Sequence, residues 1–272
     1  MPALYDLARR CFGYKFPRLG LAANNLFFRL VPREIDTELF PGIHVRLDSS
    51  DLIQRTTYWQ GDRFEYPTAK ILTAWISPSI THFFDIGANY GFFSYLMLSG
   101  SRELLVHAFE PNPITFQHIE QIKQRNELNR FHPHLMGLSN VSDKLFLHLG
   151  GEDSGHSTFG EHPGLADKST APIAVEPFDL WREAAGIRLP ETPSWLAKID
   201  VEGFELNVLK GMAESLRLKA FAGLVVEVNP FTLNFNGTAP GEIFSFMEAV
   251  GYRADSRSSS TESANAFFTP DR

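Results

Sequence analysis

The sequence has little cysteine and no long apolar run, and each shortage excludes a class of protein. The single cysteine, Cys11, cannot form a disulfide within the chain, so we expect no internal crosslinks and a reducing compartment. The most apolar window, residues 83–98, contains Asp85 and Asn89 and is shorter than the ~20 residues that a membrane-spanning helix needs. We therefore predict a cytoplasmic protein without a transmembrane segment.

Positive charge is scarce beyond the first 33 residues. That segment carries six basic residues against one acidic residue, a net charge of +5, which leaves −12 for the remainder of a chain whose total is −7. The asymmetry argues against a nucleic-acid-binding protein. The basic segment is either a solvated leader or a peripheral contact with an anionic surface.

The length of 272 residues and the hydrophobic content of 43% allow one large domain with an extension. We predict a basic and aromatic N-terminal extension at 1–40, with helices at 3–11 and 21–31. The main domain is predicted at 41–272, and it begins with a hairpin-like turn at Pro41-Gly42.

Strand and helix patterns alternate along the main domain. The predicted strands are 43–47, 82–86, 104–109, 133–138, 144–149, 195–200, 223–228 and 264–269, and the predicted helices are 65–76, 91–99, 113–128, 175–185, 203–216 and 241–250. This rhythm predicts an α/β fold with a doubly wound, mainly parallel sheet. The glycine-rich loop at 150–157 is suited to act as a lid, and a second loop is predicted at 256–263.

A glycine turn follows the apolar strand that contains Asp85. Gly87 and Gly91 stand where this strand turns into a helix, and without Cβ atoms they let backbone N–H groups approach a ligand's carboxylate or phosphate. A strand-to-helix turn without any ligand has the same pattern. Asn89 stands where nicotinamide-binding proteins have the glycine that admits a pyrophosphate, which argues against a nicotinamide-dependent oxidoreductase.

Glu110 ends the next predicted strand, 23 residues after Gly87. A carboxylate at that position can accept hydrogen bonds from both hydroxyls of a ribose. With the glycine turn at the carboxylate of an amino acid and Asp85 on its ammonium side, the spacing suits S-adenosylmethionine. The sequence therefore predicts this cofactor in preference to a dinucleotide.

The chain resembles the FkbM family of class I methyltransferases over about residues 50–230. The resemblance rests on Asp85-Ile-Gly87-Ala-Asn89-Tyr-Gly91, Phe109-Glu110-Pro111-Asn112, Gly137-Leu138-Ser139, Lys198-Ile-Asp200-Val-Glu202-Gly203-Phe-Glu205 and Val208-Leu209-Lys210-Gly211. It implies a Rossmann-like sheet of seven strands, S-adenosylmethionine as methyl donor, and a hydroxyl acceptor on a saccharide, lipid or polyketide-type small molecule. The segment 176–180 departs from the family pattern, and residues 1–40 lie outside the resemblance.

The predicted cofactor-binding residues come from the first three of these blocks. Leu138 is expected on the face of the adenine, with Ser139 beside the ring and Pro111-Asn112 on its other side; plain loop residues would show the same pattern. The full predicted set is Asp85, Gly87, Ala88, Asn89, Gly91, Glu110, Pro111, Asn112, Leu138 and Ser139.

Lys198, Asp200 and Glu202 are the predicted catalytic residues. They alternate along a predicted strand, so they share one face and reach the carboxyl edge of the sheet, where ligands bind in open α/β folds. In the functional interpretation Asp200 or Glu202 accepts the acceptor's proton; in the structural one the three form an ion cluster. Asp200 and Glu202 also form a possible oxygen-rich magnesium site with Glu227 and Asn229, but we predict no bound metal.

Two other functions stay open. One is a non-catalytic nucleoside-binding module that docks on a partner or membrane through its basic segment, and the other is a nicotinamide-dependent oxidoreductase. His156 in the glycine-rich loop is a candidate acid–base helper or a surface histidine, whereas His107 is predicted as a core residue. For the enzyme we predict a small-molecule, glycan or lipid acceptor and no nucleic-acid partner.

Overall fold

The computed structural model describes residues 33–148, 157, 159, 169–255 and 265–271. The predicted helices at 3–11 and 21–31, most of the glycine-rich loop with His156, and the loop at 256–263 lie outside these residues. None of the helices in the described part of the chain combines the length and the apolar character needed to cross a membrane.

The described strands fall into three sheets. In chain order they are β1 (Glu34–Phe40), β2 (Ile43–Asp48), β3 (His82–Ile86), β4 (Leu105–Phe109), β5 (Phe131–His134), β6 (Gly137–Leu138), β7 (Asp143–His148), β8 (Ser169–Glu176), β9 (Trp195–Ile199), β10 (Phe221–Glu227), β11 (Tyr252–Ala254) and β12 (Asn265–Pro270). Among the described residues, seven strands form the main sheet in the order β11-β12-β10-β9-β3-β4-β5. The five strands from β10 to β5 are parallel, and β12 runs antiparallel to both of its neighbours.

Helices cover both faces of this sheet. They are α1 (Leu52–Gln60), α2 (Tyr66–Trp75), α3 (Phe92–Gly100), α4 (Pro113–Arg125), α5 (Phe178–Ala184), α6 (Glu205–Gly211), α7 (Ala213–Arg217), α8 (Pro230–Phe235) and α9 (Pro240–Ala249), with a 3-10 turn at Gly61–Arg63. Successive side chains of a strand point to opposite faces. Phe83 accordingly packs in the core shared with α1 to α4, and Phe84 packs in the core shared with α5 to α9. The predicted doubly wound, mainly parallel, Rossmann-like sheet of seven strands is confirmed.

Burial on both faces explains why the central strands have no polar face. Residues 83–86 and 195–199 are buried throughout, as expected for parallel strands covered by helices on each side. The apolar runs in the sequence therefore predicted these strands well.

Two predicted elements differ from the structure because part of the chain joins a small separate sheet, β6-β8-β7. The strand predicted at 133–138 divides into β5 and β6, and only β5 belongs to the main sheet. The helix predicted at 175–185 begins at Phe178, because Val175 and Glu176 still belong to β8 and pair with β6.

The helix predicted at 203–216 is interrupted at Met212, which separates α6 from α7. At the end of α6, a Cβ on Gly211 would lie 2.0 Å from the carbonyl oxygen of Ser139. The backbone of α6 therefore packs directly against the loop after β6, a long-range contact that no local pattern indicates.

The hairpin β1–β2 spans the boundary predicted at residue 40. Glu34 to Phe40 pair with Ile43 to Asp48, and Val45 and Leu47 are buried in the core beside α1 to α4. The division into an extension at 1–40 and a domain at 41–272 stays a prediction, because residues 1–32 lie outside the described chain.

Candidate active site

The candidate site is a cleft at the carboxyl edge of the main sheet, above β3, β4, β9 and β10. Residues that follow these strands form its floor, and aromatic residues around the starts of α2 and α3 form one wall. Ligands bind at this edge in open α/β sheets. Of the predicted site residues, the cleft is lined by Gly87, Ala88, Asn89, Glu110, Pro111, Leu138, Lys198, Asp200 and Glu202.

The glycine turn after β3 is held by hydrogen bonds within the protein. The N–H groups of Gly87 and Ala88 both donate to the carbonyl oxygen of Phe109, at 3.0 and 3.1 Å. Gly87 has a φ of +78°, and a Cβ there would lie only 1.8 Å from the backbone oxygen of Asp200. Glycine is therefore required by the close approach of two chain segments, and its N–H is already used. This differs from the expected role of its N–H as a ligand donor.

Glu110 connects the glycine turn to the start of α4. Its Oε2 accepts from the Asn89 N–H at 2.7 Å and its Oε1 accepts from the Asn112 N–H at 2.8 Å. Burial raises the pKa of Glu110 to about 8, although the two backbone donors act in the opposite direction. The carboxyl group is thus held at the end of β4 while it still lines the cleft.

Asp85 lies beneath the cleft and does not reach its wall among the described residues. Its side chain is fully buried, and Oδ2 accepts a hydrogen bond from the Ser94 hydroxyl at 2.6 Å. Burial raises the pKa of this carboxyl group, against the nearby Lys198 ammonium. The side chain of Asp85 thus lies in the layer below the cleft, and its expected position on the ammonium side of a cofactor stays a prediction.

Three other predicted cofactor residues support the cleft from behind, as far as the described residues show. Gly91, with a φ of +90°, starts α3. Asn112 accepts from the Ile114 N–H at 3.0 Å and so caps α4. Ser139 is buried, and its N–H donates to the carbonyl oxygen of Glu176. These residues shape the site without lining it.

Lys198, which is buried, forms an ion pair with the partly exposed Asp200 at the other end of the cleft. Its Nζ lies 2.7 Å from Asp200 Oδ2 and 4.7 Å from the centre of the Phe93 ring. Burial alone would lower the pKa of Lys198, but the carboxylates of Asp200, Glu65 and Asp85 raise it well above its usual value. Lys198 therefore stays protonated, so it orients Asp200 and does not act as a base.

Three carboxylates, including that of Asp200, lie close together at this end of the cleft. Asp200, Glu202 and Glu227 each offer one oxygen, and these oxygens lie within 4.8 Å of one another. Burial, followed by the charges of Asp200 and Glu202, raises the pKa of Glu227 well above its usual value. The predicted grouping of Asp200 and Glu202 with Lys198 is present, but β9 ends at Ile199, so it does not arise from strand alternation.

A tight turn brings Glu202 to the cleft. Glu202 and Gly203 have φ values of +54° and +97°, in the left-handed region. Glu205 stabilises the turn, because its Oε1 accepts from the N–H groups of Val201 and Gly203, each at 3.0 Å. The repeated acids of the segment 200–205 thus have two roles: some face the cleft, and Glu205 holds the backbone beneath them.

The predicted magnesium alternative involves the same carboxylates. Their spacing is compatible with a divalent cation. The side-chain oxygen of Asn229, the fourth predicted ligand, is engaged elsewhere. It accepts a hydrogen bond from the Phe231 N–H at 3.0 Å and so caps α8. The absence of a resident metal stays a prediction.

Sequence reasoning missed one acidic residue of the cleft, Glu65. It precedes α2 and lines the cleft near Lys198 and Asp200. In the sequence it stands at the start of an ordinary amphipathic helix, 20 residues before the motif at Asp85. Only the packing of α2 against α3 and β10 brings it to the site.

The fold and the cleft define an α/β protein of the kind that binds a nucleoside-containing ligand beside a glycine turn. A family model described as the methyltransferase FkbM domain matches residues 85–254. The chain belongs to this family of methyltransferases, and the predicted family membership is confirmed.

Known relatives are similar over part of the chain. The hexuronic acid methyltransferase AglP of Haloferax volcanii is 30% identical over 145 residues, which cover 53% of this chain and 54% of that protein. Methyltransferase 1 of Beauveria bassiana is 27% identical over 148 residues, covering 50% and 59%. The chain thus spans little more than half the length of these relatives. A solved SAM-dependent methyltransferase from Agrobacterium tumefaciens superposes with a TM-score of 0.44 at 7% identity, covering 89% and 71% of the two chains.

Proposed function

We propose that the protein is an S-adenosylmethionine-dependent O-methyltransferase whose acceptor is a hydroxyl group of a saccharide, lipid or polyketide-type small molecule. The observation that carries the proposal is the position of Glu110. Its carboxyl group is fixed by two backbone N–H groups at the end of β4 and faces a cleft whose opposite end is acidic. Family membership supplies the reaction class.

The cofactor end fits an adenosine group. Glu110 accepts hydrogen bonds from the two ribose hydroxyls. The apolar side chains of Leu138 and Pro111 flank the adenine. When bound, S-adenosylmethionine supplies an electrophilic methyl group. The protein's contribution at this end is to hold the nucleoside in one orientation, which is a large part of the rate advantage for a transfer that needs no covalent enzyme intermediate.

The acidic end fits the acceptor. Asp200 accepts the proton of the acceptor hydroxyl, and the Lys198 ammonium at 2.7 Å keeps the carboxylate in place. Glu202 lies beside Asp200 and accepts a hydrogen bond from another hydroxyl group of the methyl-accepting substrate. Lys198 is a positioning residue in this scheme, because its raised pKa keeps it charged.

The name of one relative supports an oxygen acceptor. The Haloferax volcanii protein is named a hexuronic acid methyltransferase. A hexuronic acid offers only oxygen nucleophiles, so the comparison favours O-methylation and a saccharide within the proposed range of acceptors. For the present chain we propose the same kind of acceptor, an oxygen atom of a saccharide.

Cofactor binding tests the first half of the proposal. Replacing Glu110 by Ala removes the hydrogen bonds to both ribose hydroxyls, about 0.5–1.5 kcal/mol each, so the affinity for S-adenosylmethionine should fall about tenfold. Titration calorimetry measures this directly, with thermal melting of the variant as a check of its fold. An unchanged affinity would reject the assignment of Glu110.

Acceptor screening tests the second half. Incubation with methyl-labelled S-adenosylmethionine and panels of saccharides, lipids and polyketide-type alcohols should yield labelled product and S-adenosylhomocysteine. Binding of the cofactor without any transfer would favour the non-catalytic module instead. Binding of a nicotinamide dinucleotide in its place would favour the oxidoreductase.

A further inference from the structure

Glu65 is a carboxylate of the cleft to which the proposed reaction assigns no role. It lies at the N-terminal end of α2, outside the residues that match the family model. We propose that Glu65 binds the ammonium group of the cofactor's amino-acid arm. This inference rests on the proposed function and extends it to a residue contributed by the segment before the family domain.

The local geometry shows that Glu65 does not serve its own helix. An acidic residue at the N-cap position commonly accepts a hydrogen bond from the first turn. Glu65 makes no such bond, and its φ of +45° lies in the left-handed region, where a non-glycine side chain is strained. The strain and the missing cap leave the carboxyl group to line the cleft.

The charges around Glu65 define its place in the cleft. Burial raises its pKa, the Lys198 ammonium lowers it, and the carboxylates of Asp200 and Asp85 raise it again. Tyr90, next to the glycine turn, has its own pKa raised by burial and also by the charge of Glu65. Lys198 is already paired with Asp200 at 2.7 Å. The neighbourhood therefore has more carboxylates than cations, which favours a cationic ligand group.

The order of the strands places Glu65 between the two ends of the cleft. Glu110 follows β4 and Glu227 ends β10, while the charged groups near Glu65 belong to β3, to β9 and to the turn after β9. Those strands lie between β4 and β10. A nucleoside whose ribose is bound by Glu110 extends its amino-acid arm across β3 and β9. The ammonium of that arm then meets Glu65 beside Asp200, where the acceptor end begins.

Asp85 does not compete for this role. Its carboxyl group is fully buried and accepts from the Ser94 hydroxyl below the cleft. Of the described acids, Glu65 is the one that lines the cleft and whose pKa is raised by the charges of both Asp85 and Asp200. The cation site predicted for Asp85 is therefore assigned to Glu65.

Two adenosine ligands separate this role from others. S-Adenosylhomocysteine carries the amino-acid arm, and 5′-methylthioadenosine has the same nucleoside without it. Glu65→Gln keeps the shape of the side chain and removes its charge. By calorimetry, the variant should bind S-adenosylhomocysteine at least about tenfold more weakly than the wild type, with little change for 5′-methylthioadenosine. Retained binding of 5′-methylthioadenosine also shows that the variant folds.

Two matched variants give the controls. Glu110→Gln should weaken both ligands together, because the ribose is common to them. Glu103→Gln, at an exposed position outside the cleft, should change neither.

The remaining outcomes each overturn the inference. If Glu65→Gln weakens both ligands equally, or neither, Glu65 does not bind the ammonium. If binding is unchanged and only turnover falls, Glu65 acts on the acceptor. If the wild type binds neither ligand, the proposed function fails as well, so the two failures are distinguishable.

Discussion

The two ends of the cleft use carboxylates in opposite ways. At the cofactor end, both oxygens of Glu110 accept backbone N–H groups. At the acidic end, Glu227 has a buried oxygen, Oε2, without a hydrogen-bond partner among the described residues, and it faces Asp200 and Glu202. The Glu110 carboxyl group is held by the protein's own backbone, while the Glu227 carboxyl group keeps an oxygen that a ligand can satisfy. In the proposed function, this difference corresponds to a ribose-binding carboxyl group that is fixed in advance and an acceptor site that is completed on binding.

The largest expected effect comes from removing the charge of Asp200. Asp200→Asn should lower turnover about 10²–10⁴-fold, because general-base assistance is lost. Affinity for S-adenosylmethionine should stay close to that of the wild type, because the nucleoside is held at the other end by Glu110. Release of S-adenosylhomocysteine with an acceptor from the screen measures the first quantity, and calorimetry measures the second.

The paired variant is Glu110→Ala, which should show the reverse pattern, with loss of cofactor affinity first. If Asp200→Asn lost affinity to the same extent as turnover, the division of the cleft into two functional ends would be contradicted. Unchanged turnover would remove Asp200 from the proposed chemistry.

The next effect tests whether the cofactor end is built by backbone contact. In Gly87→Ala the new Cβ would lie 1.8 Å from the Asp200 oxygen at a φ of +78°. The free energy of unfolding should fall by about 3–5 kcal/mol, from steric overlap and backbone strain together. Denaturant titration measures the change.

Gly186→Ala is the matched control, because Gly186 has a similar φ of +71° with nothing within 4 Å of the new Cβ. It should cost only the strain of the left-handed backbone, about 1–2 kcal/mol. Equal losses in the two variants would show that the contact with Asp200 is relaxed at little cost.

The smallest effect concerns the crowded acids. The pKa of Glu227 is raised in the folded protein, so the folded state binds its proton more tightly than the unfolded state. The stabilisation that Glu227 contributes is therefore fully present below the pKa of an ordinary glutamate. It is lost as the pH rises through the pKa that Glu227 has in the folded protein. Glu227→Gln should then gain stability over the wild type with rising pH, on the order of 1 kcal/mol after solvent screening.

Thermal or chemical unfolding at pH 5 and at pH 9 checks this sign. The exposed variant Glu191→Gln provides the baseline. A difference that shrinks with rising pH would mean that Glu227 is stabilised as an anion and that the acidic end is less crowded than its geometry indicates.

The central sheet was predictable because its information is local. The strands at 82–86 and 195–199 are apolar runs buried on both faces, and the turn at Gly87 to Gly91 stands directly between a strand and a helix. Glu110 was found for the same reason, since the end of a parallel strand reaches the ligand edge of the sheet. Helix α1 and strand β8 were not predicted; β8 pairs with β6 and β7, which lie well before it in the chain.

The sequence by itself determined the alternation of strands and helices, the glycine turn and the acids that follow β4 and β9, because each depends on neighbouring residues. Only the tertiary structure decided that Asp85 lies under the cleft while Glu65 lines it, and that the Asn229 side chain caps α8. The positions of the two acids depend on how α2 packs against α3 and β10. Contacts between segments so far apart in the chain carry no periodic signal, so burial and charge at the site emerged only when the chain was folded.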